Sequence, residues 1–201
     1  MMIRAAFVIA FAALIVACGR SSIAPADMPL TPVPSAVIAA PGGGSAVGAG
    51  ETEGRRDVIV NMLDACDPDT FNAPPLEPDT CLRAGGVTFS QFIAGLTRLG
   101  FIGPWRFSPS RSNVEVGQTF VAINRGGERH TFTEVEEFGG GRVSALNELA
   151  HLPDVAPECA ALEDDKVVPA GGSYREVVDH TGNLKFQCCI HPWMQLEASS
   201  R

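Results

Sequence analysis

Phe186-Gln187-Cys188-Cys189-Ile190-His191-Pro192-Trp193-Met194 is the stretch on which the reading of this chain turns. Within seven residues it places a thiol, an imidazole and a thioether, as Cys188, His191 and Met194 in a C-x2-H-x2-M array. A soft thiolate, a nitrogen base and a weak thioether together suit copper better than zinc, calcium or magnesium. Zinc takes the thiolate and the imidazole but gains little from the thioether. Counting from Cys189 instead would leave one residue before His191. On a strand successive side chains face opposite ways, so if Cys188 faces a metal, Cys189 faces away from it.

The array needs one more strong donor from elsewhere, and the chain has four histidines in all. His130 is the best placed. Thr119 to Asn124 alternates and carries β-branched residues, as a strand does, and Gly126-Gly127 marks a turn. His130 then opens a second alternating run, Thr131-Phe132-Thr133-Glu134-Val135. A histidine just past a turn, at one end of a β-sandwich, meets a C-terminal loop at the same end. His151 and His180 lie in polar stretches flanked by Pro or Gly and read as surface residues.

This constellation resembles the cupredoxins, the plastocyanin/azurin-like blue copper proteins. The short C-x2-H-x2-M loop, with Pro192 and Trp193 inside it, is most similar to the loop of amicyanin. Asn124, six residues before His130, and the hydrophobic strand Leu184-Lys185-Phe186 fit the same layout. The resemblance covers roughly residues 104 to 197. It implies an all-β fold, a cupredoxin-like Greek-key β-sandwich, with one type 1 copper held by His130, Cys188, His191 and Met194. It also implies that His191 is the ligand at the solvent edge. Pro192 and Trp193 would then belong to an apolar patch where a redox partner, a cytochrome or a copper or haem enzyme, docks. Two imidazoles, one thiolate and a long thioether are a compromise between the preferences of Cu(I) and Cu(II). A rigid frame around them limits rearrangement when a single electron moves.

The strand pattern beyond the ligands agrees with a sandwich. Trp105 to Phe107, Asn113 to Gly117, Lys166 to Val168, Tyr174 to Val178, Leu184 to Cys188 and Gln195 to Glu197 read as strands. The segment 138 to 165 is long and irregular, and either shapes the surface near the site or is filler.

Residues 57 to 100 read as a small helical segment ahead of a cupredoxin domain spanning 101 to 201. Val58, Ile59, Met62 and Leu63 fall on one helical face. Thr88-Phe89-Ser90-Gln91 has the capping-box pattern. Phe89, Phe92, Ile93, Leu96 and Leu99 follow at helical spacing, and Gly100 ends the run. Cys66 and Cys81 flank a loop rich in Pro and Asp with no histidine nearby, which favours a disulfide over a second metal site. Closing that loop contributes on the order of 3 kcal/mol. With Cys18, that pair and Cys188 set aside, Cys159 and Cys189 are either a second disulfide or two free thiols.

Residues 1 to 17, with Arg4 before the apolar run Ala5 to Val16, read as a signal peptide. Ile15-Val16-Ala17-Cys18 looks like a bacterial lipoprotein processing site that would leave Cys18 as a lipidated N-terminus; the other reading is an ordinary signal peptide cleaved nearby. Residues 18 to 56 are rich in Pro, Gly, Ala and Ser and read as a flexible tether, with a span of roughly 30–40 Å. Both readings place the protein outside the cytoplasm, on the periplasmic side of a bacterial cell envelope. The lipid would attach it to the membrane. The formal charge of −8 argues against nucleic acid as a partner. The acidic groups Glu134, Glu136, Glu137 and Glu163, Asp164, Asp165 are either solvated faces or a field that steers a basic redox partner. A copper chaperone or storage protein is the competing function. Such proteins favour exposed Met- and His-rich sites, and this chain has five methionines and no His-rich run.

Overall fold

The computed structural model describes residues 56–152, 154–163 and 166–201. The expectations for the signal peptide, Cys18 and the tether lie outside the described residues, as do Asp164 and Asp165. Among the described residues no helix is long and apolar enough to cross a membrane.

Two four-stranded mixed sheets form the molecule. The first runs β2 (Arg106–Ser108), β1 (Val58–Leu63), β4 (Thr119–Asn124), β6 (Ser173–Val177). The second runs β3 (Arg111–Val114), β8 (Gln195–Ser200), β7 (Gly182–Gln187), β5 (Thr133–Val135). β1 pairs parallel with β4, and β3 pairs parallel with β8; the other pairs are antiparallel. The two sheets close on an aromatic core. Phe132 stacks on Phe186 at 4.4 Å between ring centroids, with Phe120 and Phe107 set edgewise at 5.1 and 5.4 Å. Such ring pairs contribute about 0.5–1.5 kcal/mol each beyond the area they bury. A loop between the last two strands, β7 and β8, carries Cys188, His191 and Met194. The mostly-β, two-sheet architecture agrees with the sandwich that the resemblance implies.

One element differs from the sequence reading. Val58–Leu63 is strand β1, not a helix. Val60 and Met62 point into the core while Ile59 is exposed, a period of two. Three β-branched residues in succession, Val58-Ile59-Val60, are stiff at χ1 and favour the pleated form. Pairing decides the matter: Val60 lies beside Ala122 of β4, and Met62 lies beside Phe107 of β2. The segment 57 to 100 is therefore not a preface to the sandwich, because it supplies an inner strand of the first sheet.

The rest of that segment follows the reading closely. Helix α2 (Phe89–Leu99) opens with a complete capping box: Gln91 N–H donates to the Thr88 hydroxyl, and Thr88 N–H donates to the Gln91 side chain. It closes at Gly100 with φ of 73°, the left-handed conformation that glycine adopts without strain. Cys66 and Cys81 are disulfide-bonded, and so are Cys159 and Cys189. A short helix α1 (Pro68–Phe71) lies inside the first disulfide loop. The segment 138 to 165 holds two short helices, α3 (Ser144–Leu149) and α4 (Pro157–Ala160). α4 carries Cys159 into a small core with Val135, Ala156 and Cys189, behind the ligand loop. Of the expected strand at Lys166 to Val168, Val168 alone pairs, in a bridge to His130.

Candidate metal centre

His130 is fixed from its backbone outward. Its N–H donates to Val168 C=O at 3.1 Å and its C=O accepts from Val168 N–H at 2.7 Å. The Asn124 amide secures the preceding turn, donating to Glu128 C=O and Val168 C=O and accepting from Gly126 N–H. On the other side, Cys188 N–H donates to Met194 C=O at 3.0 Å and Met194 N–H donates to His191 C=O at 2.9 Å. These two bonds close the C-x2-H-x2-M segment into one tight loop. The Thr131 hydroxyl accepts from Cys189 N–H at 2.7 Å and joins the two halves.

The result is a buried convergence of donors. Cys188 Sγ lies 3.8 Å from His130 Nδ1 and 3.8 Å from His191 Nδ1. All three donor atoms lie within 4.8 Å of one another. An ion bound at about 2.3 Å to sulfur and about 2.0–2.1 Å to an imidazole nitrogen, with those bonds about 120° apart, sets sulfur and nitrogen about 3.8 Å apart. Both pairs match that trigonal spacing, so the donor set fits a first-row metal ion. Cys188 is the free cysteine among the described residues, and Met194 is fully buried beside it.

Each imidazole turns its other nitrogen toward a carboxylate. His130 Nε2 is 2.8 Å from Asp64 Oδ2, with the two side chains 0 % and 1 % exposed. His191 Nε2 is 3.6 Å from Glu128 Oε2, which also accepts from the Trp105 indole N–H. A proton held on Nε2 leaves the Nδ1 lone pair free for a metal. Asp64 is itself held by the N–H groups of Cys66, Gly127 and Glu128.

The electrostatics reflect this arrangement. Burial pushes the Cys188 thiol up, but hydrogen bonds and charge from both imidazoles bring it well below the ordinary thiol range. Burial also opposes charge on the histidines. His191 nonetheless rises to about 10, through the charge of Glu128 and its contact with Cys188. His130 rises through Asp64 and Cys188. Burial raises Asp64, yet the His130 hydrogen bond and the backbone donors hold it at about 2. Two N–H groups, of Thr131 and His191, point at Cys188 Sγ at 3.4 Å. The pocket is thus built to keep a thiolate.

His191 is not at the solvent edge as the resemblance implies. It is 2 % exposed. Its ring packs edge-on to Trp193 at 5.5 Å and to Phe92 of α2 at 6.5 Å between centroids. A shallow cleft between Glu77, Asp79, Arg129 and Ile190 leads down to it. The physical reason is the chain ahead of β2: α2 and the disulfide loop lay a second aromatic cluster, Phe71, Phe89, Phe92 and Trp105, over this end of the sandwich. Pro192 is buried and Trp193 is half-buried.

His151 and His180 are exposed, as read from the sequence. Glu137 pairs with Lys185 at 2.6 Å, and Glu134 lies 3.5 Å from His180. Sequence reasoning missed Asp64 and Glu128. Glu128 stands two residues before His130 and was within reach of it. Asp64 follows β1 directly, and the helical reading of that strand hid its position.

Comparison with solved structures finds likeness to a purple cupredoxin from Nitrosopumilus maritimus. It is 13 % identical, over 72 % of this chain and 100 % of that one, with a TM-score of 0.41. Two amicyanin variants follow. A methionine-to-alanine variant in the Cu(I) state is 17 % identical, and a proline-to-phenylalanine variant in the reduced state is 19 % identical. Each covers 50 % of this chain and 77 % of its own, with a TM-score of 0.34. No family model matches the chain, and no curated protein matches its sequence.

Proposed function

We propose that this chain is an exported mononuclear type 1 copper protein that carries single electrons between redox partners. The observation that carries the reading is the buried trigonal convergence of Cys188 Sγ with His130 Nδ1 and His191 Nδ1, each pair at 3.8 Å. His130, Cys188 and His191 would hold the ion, with the Met194 thioether as a further, weak donor. Copper would supply the one-electron couple. The chain would supply the thiolate, the fixed imidazoles, and walls packed too tightly to rearrange between oxidation states. Three buried donors converge, and the buried Met194 would add a fourth, an arrangement that favours a carrier over an enzyme. Burial of every donor also disfavours the chaperone or storage reading, since metal handed to a partner has to leave through an accessible ligand.

Two disulfides support an oxidising compartment, in agreement with a signal peptide and with a lipid anchor on Cys18. A redox partner would dock over the covered His191, on the surface formed by Trp193, Ile190 and the disulfide loop. Electrons would then cross the thin aromatic cover instead of an exposed imidazole edge. The test is Cu(II) titration of the purified protein followed by visible absorption and by cycling with a chemical reductant. One equivalent giving an intense, reversibly bleached thiolate-to-copper band supports the carrier. Rapid loss of the bound copper to a mild chelator favours storage or delivery.

A further inference from the structure

We propose that Asp64 and Glu128 set the reduction potential of the centre and its preference for Cu(II), acting through the two imidazole ligands. The inference rests on the copper reading above. Two independent contacts carry it. Asp64 meets the outer nitrogen of one ligand at 2.8 Å, and Glu128 meets the outer nitrogen of the other at 3.6 Å. Neither carboxylate is an accident of the surface. Asp64 is clamped by three backbone N–H groups, from Cys66, Gly127 and Glu128, at 2.9–3.3 Å. Glu128 is 8 % exposed and tied to Trp105.

The chemistry follows from charge. A carboxylate accepting from Nε2–H pulls that proton toward itself, which makes the imidazole a stronger donor at Nδ1. It also adds negative charge near the metal in surroundings that screen it poorly. The couple is Cu(II) plus one electron giving Cu(I), with no bond made or broken in the protein and the electron supplied from outside. Cu(II) carries one more positive charge, so each carboxylate stabilises the oxidised state more than the reduced one and lowers the potential. The two N–H groups on Cys188 Sγ and the dryness of the pocket pull the other way. The carboxylates are the counterweight.

The two are unequal. Asp64 is at full hydrogen-bonding distance, whereas Glu128 shares the facing oxygen with an indole N–H. Asp64 therefore has the larger effect. Trp105 is a positioning residue: it holds Glu128 back from His191.

The experiment uses the full chain loaded with copper, in wild type and as Asp64→Asn, Glu128→Gln and Trp105→Phe. Potentials are measured by voltammetry, and Cu(II) and Cu(I) affinities by chelator competition. Loss of an outer partner of a ligand costs about 10–100-fold in metal affinity, here falling on Cu(II). Each tenfold loss of Cu(II) over Cu(I) affinity raises the potential by about 59 mV. The expected order is a large rise for Asp64→Asn, a smaller rise for Glu128→Gln, and a fall for Trp105→Phe as Glu128 closes on His191. The amide introduced by Asp64→Asn would set an NH2 group against backbone N–H donors; if that variant does not fold, Glu128→Gln and Trp105→Phe decide the matter with their opposite signs. An intact visible band with unchanged potentials, or equal loss of both copper affinities, overturns the inference and leaves the copper reading standing. Absence of the band in wild type overturns the copper reading, and this inference with it.

Discussion

Cys188 and Cys189 are consecutive in the chain and serve opposite sides of the second sheet. Cys188 Sγ lies 3.8 Å from two imidazole nitrogens in the buried cluster, while Cys189 is disulfide-bonded to Cys159 of α4. Both lie just past the end of β7, where the chain turns one thiol toward the two histidines and the other into the small core around α4.

Cys188→Ser is therefore expected to abolish the visible band, because the thiolate that gives rise to it is gone. Cys189→Ser keeps the band and lowers stability. Breaking a disulfide with a sequence separation of 30 residues costs about 2–4 kcal/mol. Absorption after copper loading and denaturant unfolding of the two variants check both halves. A band that survives Cys188→Ser and dies with Cys189→Ser reverses the assignment.

Met194→Leu and His130→Ala separate a weak donor from a strong one. Leucine keeps the buried volume, so copper stays bound through His130, Cys188 and His191 and the band persists. The reduction potential rises, because the oxidised state loses a donor that the reduced state needs less. His130→Ala removes a strong imidazole donor and, with it, most of the copper affinity. Copper titration and voltammetry distinguish them, and equal loss of copper from both would remove Met194 from the axial role.

Gly126→Ala tests how closely the turn is fitted to the carboxylate behind it. A Cβ at position 126 would collide with the Asp64 carboxylate at Oδ2. The side chain or the turn has to move, at a cost of roughly 1–3 kcal/mol, and Asp64 leaves His130 Nε2. Stability should fall, and the potential should rise in the same direction as for Asp64→Asn. A variant with wild-type stability and potential would show that the turn yields without disturbing the carboxylate.

Cys18→Ala tests the anchor. If Cys18 carries lipid, wild-type protein partitions with membranes, and the variant is unprocessed or soluble, because the acyl chains that hold it are lost. Cell fractionation with mass analysis of the mature N-terminus gives the answer. A soluble wild type with an unmodified N-terminus elsewhere contradicts the anchor.

The candidate donors were legible because their chemistry is local. Cys188, His191 and Met194 lie within one loop, and His130 follows a turn that Gly126-Gly127 announces. Helix α2 was legible for the same reason, since the Thr88–Gln91 box and Gly100 mark both ends. What escaped depends on long-range pairing. Val58–Leu63 is a short apolar run that fits either period, and its place beside Phe120–Asn124, some sixty residues on, makes it a strand. Reading it as helix concealed Asp64, whose function as partner of His130 arises only from that pairing. The cover over His191 escaped likewise, because an amphipathic pattern at Phe89, Phe92 and Leu96 says which face is buried and not what lies beneath it. Counting alone leaves the Cys159–Cys189 bond open, and the fold settles it by bringing α4 behind the loop that follows β7.

The most direct test of the central claim is the visible and electron paramagnetic resonance spectrum of the full chain with one equivalent of Cu(II), beside Cys188→Ser treated identically. The account predicts an intense thiolate-to-copper band with a narrow copper hyperfine splitting in wild type, bleached by one electron, and neither feature in Cys188→Ser. A weak band with the wide splitting of ordinary tetragonal copper, the same in both proteins, would contradict it.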